Sequence, residues 1–274
     1  MEHITRTVTS ISGGKTSAYL AKHYPTDENI FALVRIEDRK CTPKDKSLVQ
    51  KVSDKIGMEF IATAESDTTL TLMFDLEQLL GKEIIWTTGD TFEQVCLKRK
   101  ALPNLMMRFC TTEMKMKPIF EYCQKEFGMV KMNLGFRYDE KERANNENTK
   151  FKTVVGKSKN GKRNKWGEVE WRECYYPLIQ AKKTHYEIYQ WAKSTELIFP
   201  PDSNCVGCFW KDPQQLRKNF DDEPLKMEWF AEMERKLRRK WKKEGTYTQI
   251  KTIGLQQDFN FGTGSGCQAG YCTD

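Results

Sequence analysis

The 274-residue chain has no apolar run approaching the length of a membrane span, so no membrane partner is expected. Its first residues, Met1-Glu2-His3-Ile4-Thr5, lack the apolar core of a signal peptide, and a cytoplasmic location is expected. There is no internal repeat, which sets aside solenoids and propellers. A hydrophobic content of 38% with 30% charged residues describes a globular chain rather than a disordered one. Nine cysteines in a chain without a secretion signal argue for thiol or metal chemistry and against a disulfide scaffold.

Ser12-Gly13-Gly14-Lys15-Thr16-Ser17 follows the strand-like run Arg6-Thr7-Val8-Thr9-Ser10-Ile11 and precedes the helix-like run Ala18 to Tyr24. Glycines allow a tight turn, and the helix start adds a positive dipole end, so the turn suits an anion. Lys15 adds a charge, and Ser12, Thr16 and Ser17 add hydroxyl donors. A simple helix cap is the plainer reading. The common P-loop needs a glycine five residues before Gly14, where Thr9 stands. The dinucleotide pattern fails as well, because Gly13 and Gly14 are adjacent and no third glycine follows. The hexapeptide resembles the pyrophosphate loop (PP-loop) of ATP pyrophosphatases, Ser-Gly-Gly-x-Asp-Ser, with Thr16 in the Asp position.

The front half alternates strands and helices: strands at Ile30–Ile36, Glu59–Ala64, Glu83–Trp86 and Val130–Phe136, helices at Pro43–Gly57, Leu70–Leu80 and Pro118–Phe127. That order predicts an α/β fold with a doubly wound, mostly parallel sheet and ligands at the carboxyl ends of its strands. The reading assigns residues 1–200 to a nucleotide-binding domain with a hairpin insertion at about 150–170. Residues 201–274 are read as a helical, cysteine-bearing appendage with a Gly-rich tail.

Four further elements follow the loop in order. They are Arg108-Phe109-Cys110-Thr111 with Lys115, Gly135-Phe136-Arg137 with Glu140 and Arg143, Tyr176-Pro177-Leu178, and Cys205-Val206-Gly207-Cys208. With the loop, they resemble the phosphoadenylylsulfate-reductase-like branch of the PP-loop ATP pyrophosphatase (adenine nucleotide alpha hydrolase) superfamily, over roughly residues 6 to 210. The resemblance implies ATP bound at Ser12–Ser17, adenylation of an acceptor oxygen, and release of pyrophosphate. Positive charge at the departing pyrophosphate is then required. Lys15, Arg137, Arg143 and Lys115 are the catalytic candidates, Arg108 could serve the same pocket, and Mg²⁺ assists. For each cation the plain alternative is a surface salt bridge. Asp38 could contact ribose or metal. Thr16 removes a carboxylate that would help hold Mg²⁺.

Cys205 and Cys208 place two thiols on one turn, a spacing that suits zinc or one edge of an iron–sulfur cluster. The resemblance puts Cys110 beside them as a cluster ligand. Four glycines in Gly262–Gly270 give a flexible lead to Cys267 and Cys272; Cys272 is the preferred fourth ligand of a [4Fe–4S] cluster, and structural zinc is the alternative. Cys41, Cys96, Cys123 and Cys174 read as ordinary thiols, with Cys41 the one that could carry a persulfide. Thioredoxin-dependent sulfonucleotide reductases end in a Glu-Cys-Gly-Leu/Ile-His motif, and this tail has no histidine; cluster-bearing reductases use adjacent cysteines, and this chain has none. The closer likeness is to iron–sulfur sulfurtransferases that modify nucleic acids, with a sulfur or electron donor protein as a further partner. A reductase and a non-catalytic nucleotide- and zinc-binding module remain as the competing readings.

The net charge of +7 equals the seven cations between Lys150 and Lys165, a stretch without an acidic residue. Asn160-Gly161 marks a hairpin tip, and Trp166 and Trp171 follow. Such a ribbon could track a phosphate backbone and stack on a base; a solvated hairpin is the alternative. Asp221–Glu244 reads as one helix, capped by Asp221 or Asp222 and stopped by Gly245. Its crowded basic end fits a solvated helix.

Overall fold

The computed structural model describes residues 5–145, 149–158 and 160–254. The expected fourth ligands Cys272 and Cys267 lie outside them. In chain order the front half runs β1 (Thr7–Ile11), α1 (Lys15–His23), β2 (Glu28–Ala32), β3 (Arg35–Ile36), α2 (Lys46–Ile56), β4 (Ala62–Thr63), α3 (Asp67–Leu80), β5 (Ile84–Thr87) and α4 (Phe92–Arg99). Next come α5 (Phe109–Thr111), a π-helical segment Thr112–Met116, α6 (Lys117–Glu126), β6 (Val130–Asn133), α7 (Lys141–Ala144), and the hairpin β7 (Lys150–Lys157) and β8 (Asn164–Glu170). The chain continues with β9 (Arg172–Tyr175), α8 (Pro177–Gln180), α9 (His185–Ser194), α10 (Pro213–Asp222), α11 (Pro224–Leu237) and α12 (Tyr247–Lys251).

The main sheet has five strands in the order β5-β2-β1-β6-β9, and every neighbouring pair is parallel. It is flanked by helices, as an α/β reading requires, and is compatible with a Rossmann-like or PP-loop fold. β1 pairs with β2 on one side (Ser10 opposite Ile30) and with β6 on the other (Val8 opposite Met132). The winding therefore reverses at β1, and in such sheets the crevice beyond the carboxyl ends of the reversing strands is where ligands bind. Ser12 begins the loop at that end of β1.

Local chemistry sets the element ends. Asp45 caps α2 through Ser47 and Leu48 N–H, and Gly57 ends it in the left-handed region. Thr91 and Gln94 form a capping box on α4. The expected second strand divides: β2 joins the main sheet, and β3 pairs antiparallel with β4.

Four apolar clusters among the described residues hold the layers, the smallest joining Tyr19 and Leu20 to Leu178 and Ile188. One packs Phe31 and Ile84 against Leu72, Met73 and Leu76 of α3. A second packs Met132 and Val130 against Ile119, Phe120, Phe151 and Trp171. A third joins Val34, Ile36, Phe92, Phe109 and Met114 to Val206, Phe230 and Trp241. Burying side chains of this size stabilises by about 1.5–3 kcal/mol each.

The single helix expected over 221–244 is two helices and a loop. Glu223 leaves helical geometry ahead of Pro224, as the residue before a proline is pushed to do. Arg238, in the left-handed region at φ 51°, ends α11. Trp241 then folds back, its backbone N–H donating to Glu234 Oε1 at 3.1 Å and its indole N–H to the Phe230 carbonyl at 2.9 Å.

Candidate functional site

The loop after β1 is braced by two serines. Ser17, fully buried, donates to the carbonyls of Ser12 and Gly14 at 3.0 and 3.1 Å and accepts the Ser12 N–H at 3.1 Å. Gly14 N–H donates to Ser12 Oγ at 3.3 Å. Gly13 lets the loop press against α3: a Cβ there would stand 2.5 Å from Thr69 Cγ2. α1 then starts at Lys15, whose Nζ lies 5.6 Å over the Phe199 ring. Burial lowers the Lys15 ammonium below its ordinary value, with Tyr189 and Asp202 opposing.

Thr16 is buried and meets Arg137, whose Nη1 donates to Thr16 Oγ1 at 3.1 Å. The guanidinium also contacts Glu140 Oε1 at 3.1 Å and Asp139 Oδ2 at 3.3 Å. Glu140, itself buried, holds Arg143 at 2.5 Å, and Arg143 lies 4.7 Å over Phe136. Both arginines are thus oriented by one carboxylate, and Arg137 reaches the loop. Asp139 Oδ1 also accepts the His185 N–H at 3.2 Å, tying the start of α9 to the same corner.

A cavity opens beyond β1, β2 and β6, lined by Ser12, Phe31, Thr111, Lys115, Ile119, Leu134 and Phe136 among others. A second cavity is lined by Cys110, Cys205 and Cys208 with Arg108, Thr111, Lys115 and Trp210. Thr111 and Lys115 line both, so the two cavities share a wall. Burial raises the Cys110 thiol, raises Cys205 strongly and pushes Cys208 up to about 11. Such thiols stay protonated until a metal cation replaces the proton. The donor chemistry fits a thiolate-bound metal or cluster, because three soft ligands line one cavity whose lining also carries Lys115 and Arg108. Among the described residues no group of three or more His, Cys, Asp or Glu side chains is arranged to hold a metal ion.

Lys115 is held by Glu65, Nζ to Oε1 at 2.9 Å. Burial, the largest influence, pulls the Lys115 ammonium down, but the Glu65 charge and hydrogen bond together with the Cys205 and Cys110 thiols lift Lys115 above its ordinary value. Glu65 is a site residue that sequence reasoning missed. Its one signal was its place at the end of the β4 segment, the same kind of strand-end position that singled out Asp38. Asp38 lies elsewhere: it caps the turn Arg39–Cys41 through Lys40 N–H and lines an open acidic groove with Glu37, Glu93 and Glu232.

Cys41 is an ordinary buried thiol, as expected, and one expectation changes, that for Trp171. Cys41 is 3% exposed, donates to the Leu225 carbonyl at 3.4 Å and is pushed by burial up to about 12; these are not the surroundings of a persulfide carrier. Trp171, expected beside Trp166 on the ribbon, is 1% exposed and stacks edge-on against Phe120 at 5.6 Å. Trp166 is 59% exposed. Lys150 and Lys152 stand opposite Glu170 and Glu168 in the hairpin register, so unopposed positive charge concentrates toward the tip, at Lys157, Lys162, Arg163 and Lys165.

The class these features define is an α/β protein with a parallel five-strand sheet and a Ser/Gly loop at its switch point. No protein-family model matches the chain, and no curated protein matches it. Among the described residues no helix is long and apolar enough to cross a membrane.

Proposed function

We propose that this chain is an ATP-dependent, α-phosphate-cleaving sulfurtransferase of PP-loop type that uses a [4Fe–4S] cluster and modifies a nucleic acid. One observation carries the reading: the cavity beside Ser12 and the cavity lined by Cys110, Cys205 and Cys208 share Thr111 and Lys115 as a wall. A nucleotide site and a thiol site so joined suit a reaction in which an acceptor is activated in one and sulfur arrives from the other.

In this reading the loop N–H groups and Lys15 bind the ATP phosphates with Mg²⁺. Arg137, braced by Glu140 and bonded to Thr16, opposes the charge that grows on departing pyrophosphate. Arg143 supports Arg137 through the shared carboxylate. Lys115 stands where it can serve either cavity. Cys110, Cys205 and Cys208 hold the cluster, with Cys272 or Cys267 as the fourth ligand; when bound, the cluster supplies a site that carries sulfide. The hairpin tip and Trp166 offer cations and one stacking ring to a nucleic-acid strand.

The test is anaerobic purification with metal analysis and visible spectroscopy, followed by a pyrophosphate-release assay with ATP and nucleic acid. Iron, labile sulfide and a broad visible absorbance are expected. A colourless protein holding zinc alone sinks the cluster, and absence of pyrophosphate with every nucleic acid tried leaves a nucleotide- and zinc-binding module.

A further inference from the structure

Glu65 is fully buried, yet it is found on the lining of neither cavity. Its backbone is clamped from every direction. Ala64 N–H donates to the Val34 carbonyl at 3.2 Å, and the Ala64 carbonyl accepts Val206 N–H at 2.8 Å. Glu65 N–H donates to Thr63 Oγ1 at 3.1 Å, and the Glu65 carbonyl accepts Lys226 Nζ at 2.6 Å. The carboxylate is therefore held at a defined point, with Oε1 on Lys115 at 2.9 Å and Oε2 without a hydrogen-bond partner among the described residues. Burying a carboxylate with one oxygen unsatisfied is costly. A pair of well-packed apolar side chains would close this space more cheaply, so stability alone does not account for it.

We propose that Glu65 is a positioning residue that fixes the Lys115 ammonium on the wall between the two cavities, so that one cation faces both. The inference rests on the functional reading above only for what Lys115 meets there, a nucleotide phosphate on one side and sulfur chemistry on the other. The placement of Lys115 by Glu65 stands on the geometry alone.

The experiment separates the two. In the full-length protein labelled with ¹⁵N-lysine, ammonium groups fixed in ion pairs give Nζ–H signals that exchange slowly with solvent. The Lys115 side chain is 26% exposed, so its signal is expected only if Glu65 fixes it, and its absence in the wild type overturns the proposal. Lys115→Met assigns the Lys115 signal by removing it. The Lys211 ammonium, on Asp202 at 2.9 Å, and the Lys55 ammonium, on Glu77 at 2.8 Å, are built-in controls for folding. Glu65→Gln is expected to lose the Lys115 signal and keep the other two; an unchanged Lys115 signal overturns the proposal. If Glu65→Gln loses all three, Glu65→Asp decides instead. It keeps the charge one methylene short, and a Lys115 signal identical to wild type overturns the proposal.

The second measurement is Mg²⁺–ATP affinity. Glu65→Gln and Lys115→Met are each expected to weaken it about tenfold, the value of one charge-assisted hydrogen bond, and the double variant no further. Additive losses overturn the proposal. A wild-type protein that binds no adenine nucleotide refutes the functional reading, while the lysine signals still decide what Glu65 does.

Discussion

Gly13→Ala should destabilise the protein through one contact, and a second substitution should rescue it. The added Cβ would lie 2.5 Å from Thr69 Cγ2, 3.1 Å from Oγ1 and 3.3 Å from Thr69 Cβ. Carbon atoms in contact prefer about 3.5–4.0 Å, so roughly 1 Å must be found. The loop cannot easily supply it, because Ser17 ties Ser12 and Gly14 together. α3 cannot either, because Leu70, Leu72, Met73 and Leu76 anchor it in the core with no exposure. Overpacking of this kind costs about 1–3 kcal/mol, and about 2 kcal/mol is expected here. Thr69→Ser removes the clashing methyl and alone costs about 1 kcal/mol for the lost burial. The double variant should then sit about 1 kcal/mol below wild type rather than about 3, a coupling of about 2 kcal/mol. Urea melts of the four proteins, with m-values compared to confirm two-state behaviour, give the numbers. Additive losses would show that the loop or α3 yields, and that the close approach of Gly13 does not explain the glycine.

Other expectations follow from single sites. Arg137→Lys should raise KM for ATP or lower pyrophosphate release by at least about tenfold with little change in Tm, because lysine cannot serve Thr16, Glu140 and Asp139 together. Burial raises the Glu93 carboxyl above its ordinary value, so the folded state binds more protons than the unfolded chain above the unfolded value, and stability falls as pH rises through that window. Glu93→Gln should flatten this decline and be neutral or stabilising at pH 7, since its Oε1 can still accept from Trp229 and Glu37 N–H; a variant as pH-sensitive as wild type would count against it. Trp166→Ala should weaken nucleic-acid binding by about 1–3 kcal/mol per stacked base without changing Tm, whereas Trp171→Ala should cost about 3–5 kcal/mol of stability. Equal effects of the two in a binding assay and a melt would refute the distinction.

The order of strands and helices was legible because each element carries its own period. α9 carries its own start signal, a capping box between Thr184 and Glu187. What escaped depended on contacts between distant residues. The helix expected over 221–244 has a continuous apolar face, but Trp241 gains more by folding back on Phe230 than by extending the helix. Trp171 and Trp166 look alike in a basic stretch. Only the stacking of Phe151 on Phe120 at 4.6 Å shows that the hairpin's base is core and its outer part is not. The Lys115–Glu65 pair joins residues 50 positions apart, and neither residue's neighbours announce the other.

The shared wall itself has a backbone cause. From Phe109 to Glu126 the chain is helical throughout, yet its apolar side chains serve two different cores. Phe109 and Met114 enter the cluster with Phe92 and Phe230; Ile119, Phe120 and Cys123 enter the cluster with Met132 and Trp171. A regular α-helix would carry one stripe to one core. The change of side falls at the π-helical segment Thr112–Met116, where an extra residue per turn rotates everything downstream, as π-bulges do at functional sites. Lys115 lies within that segment, between the last residue committed to one core and the first committed to the other. Its position on both cavities is therefore a product of helix geometry. It is also why the spacing of Cys110, Thr111 and Lys115, read as a motif, carries more information than the residues do singly. A regular α-helix through 109–126 would aim Lys115 at one cavity or the other, and Glu65 would have nothing to hold between them.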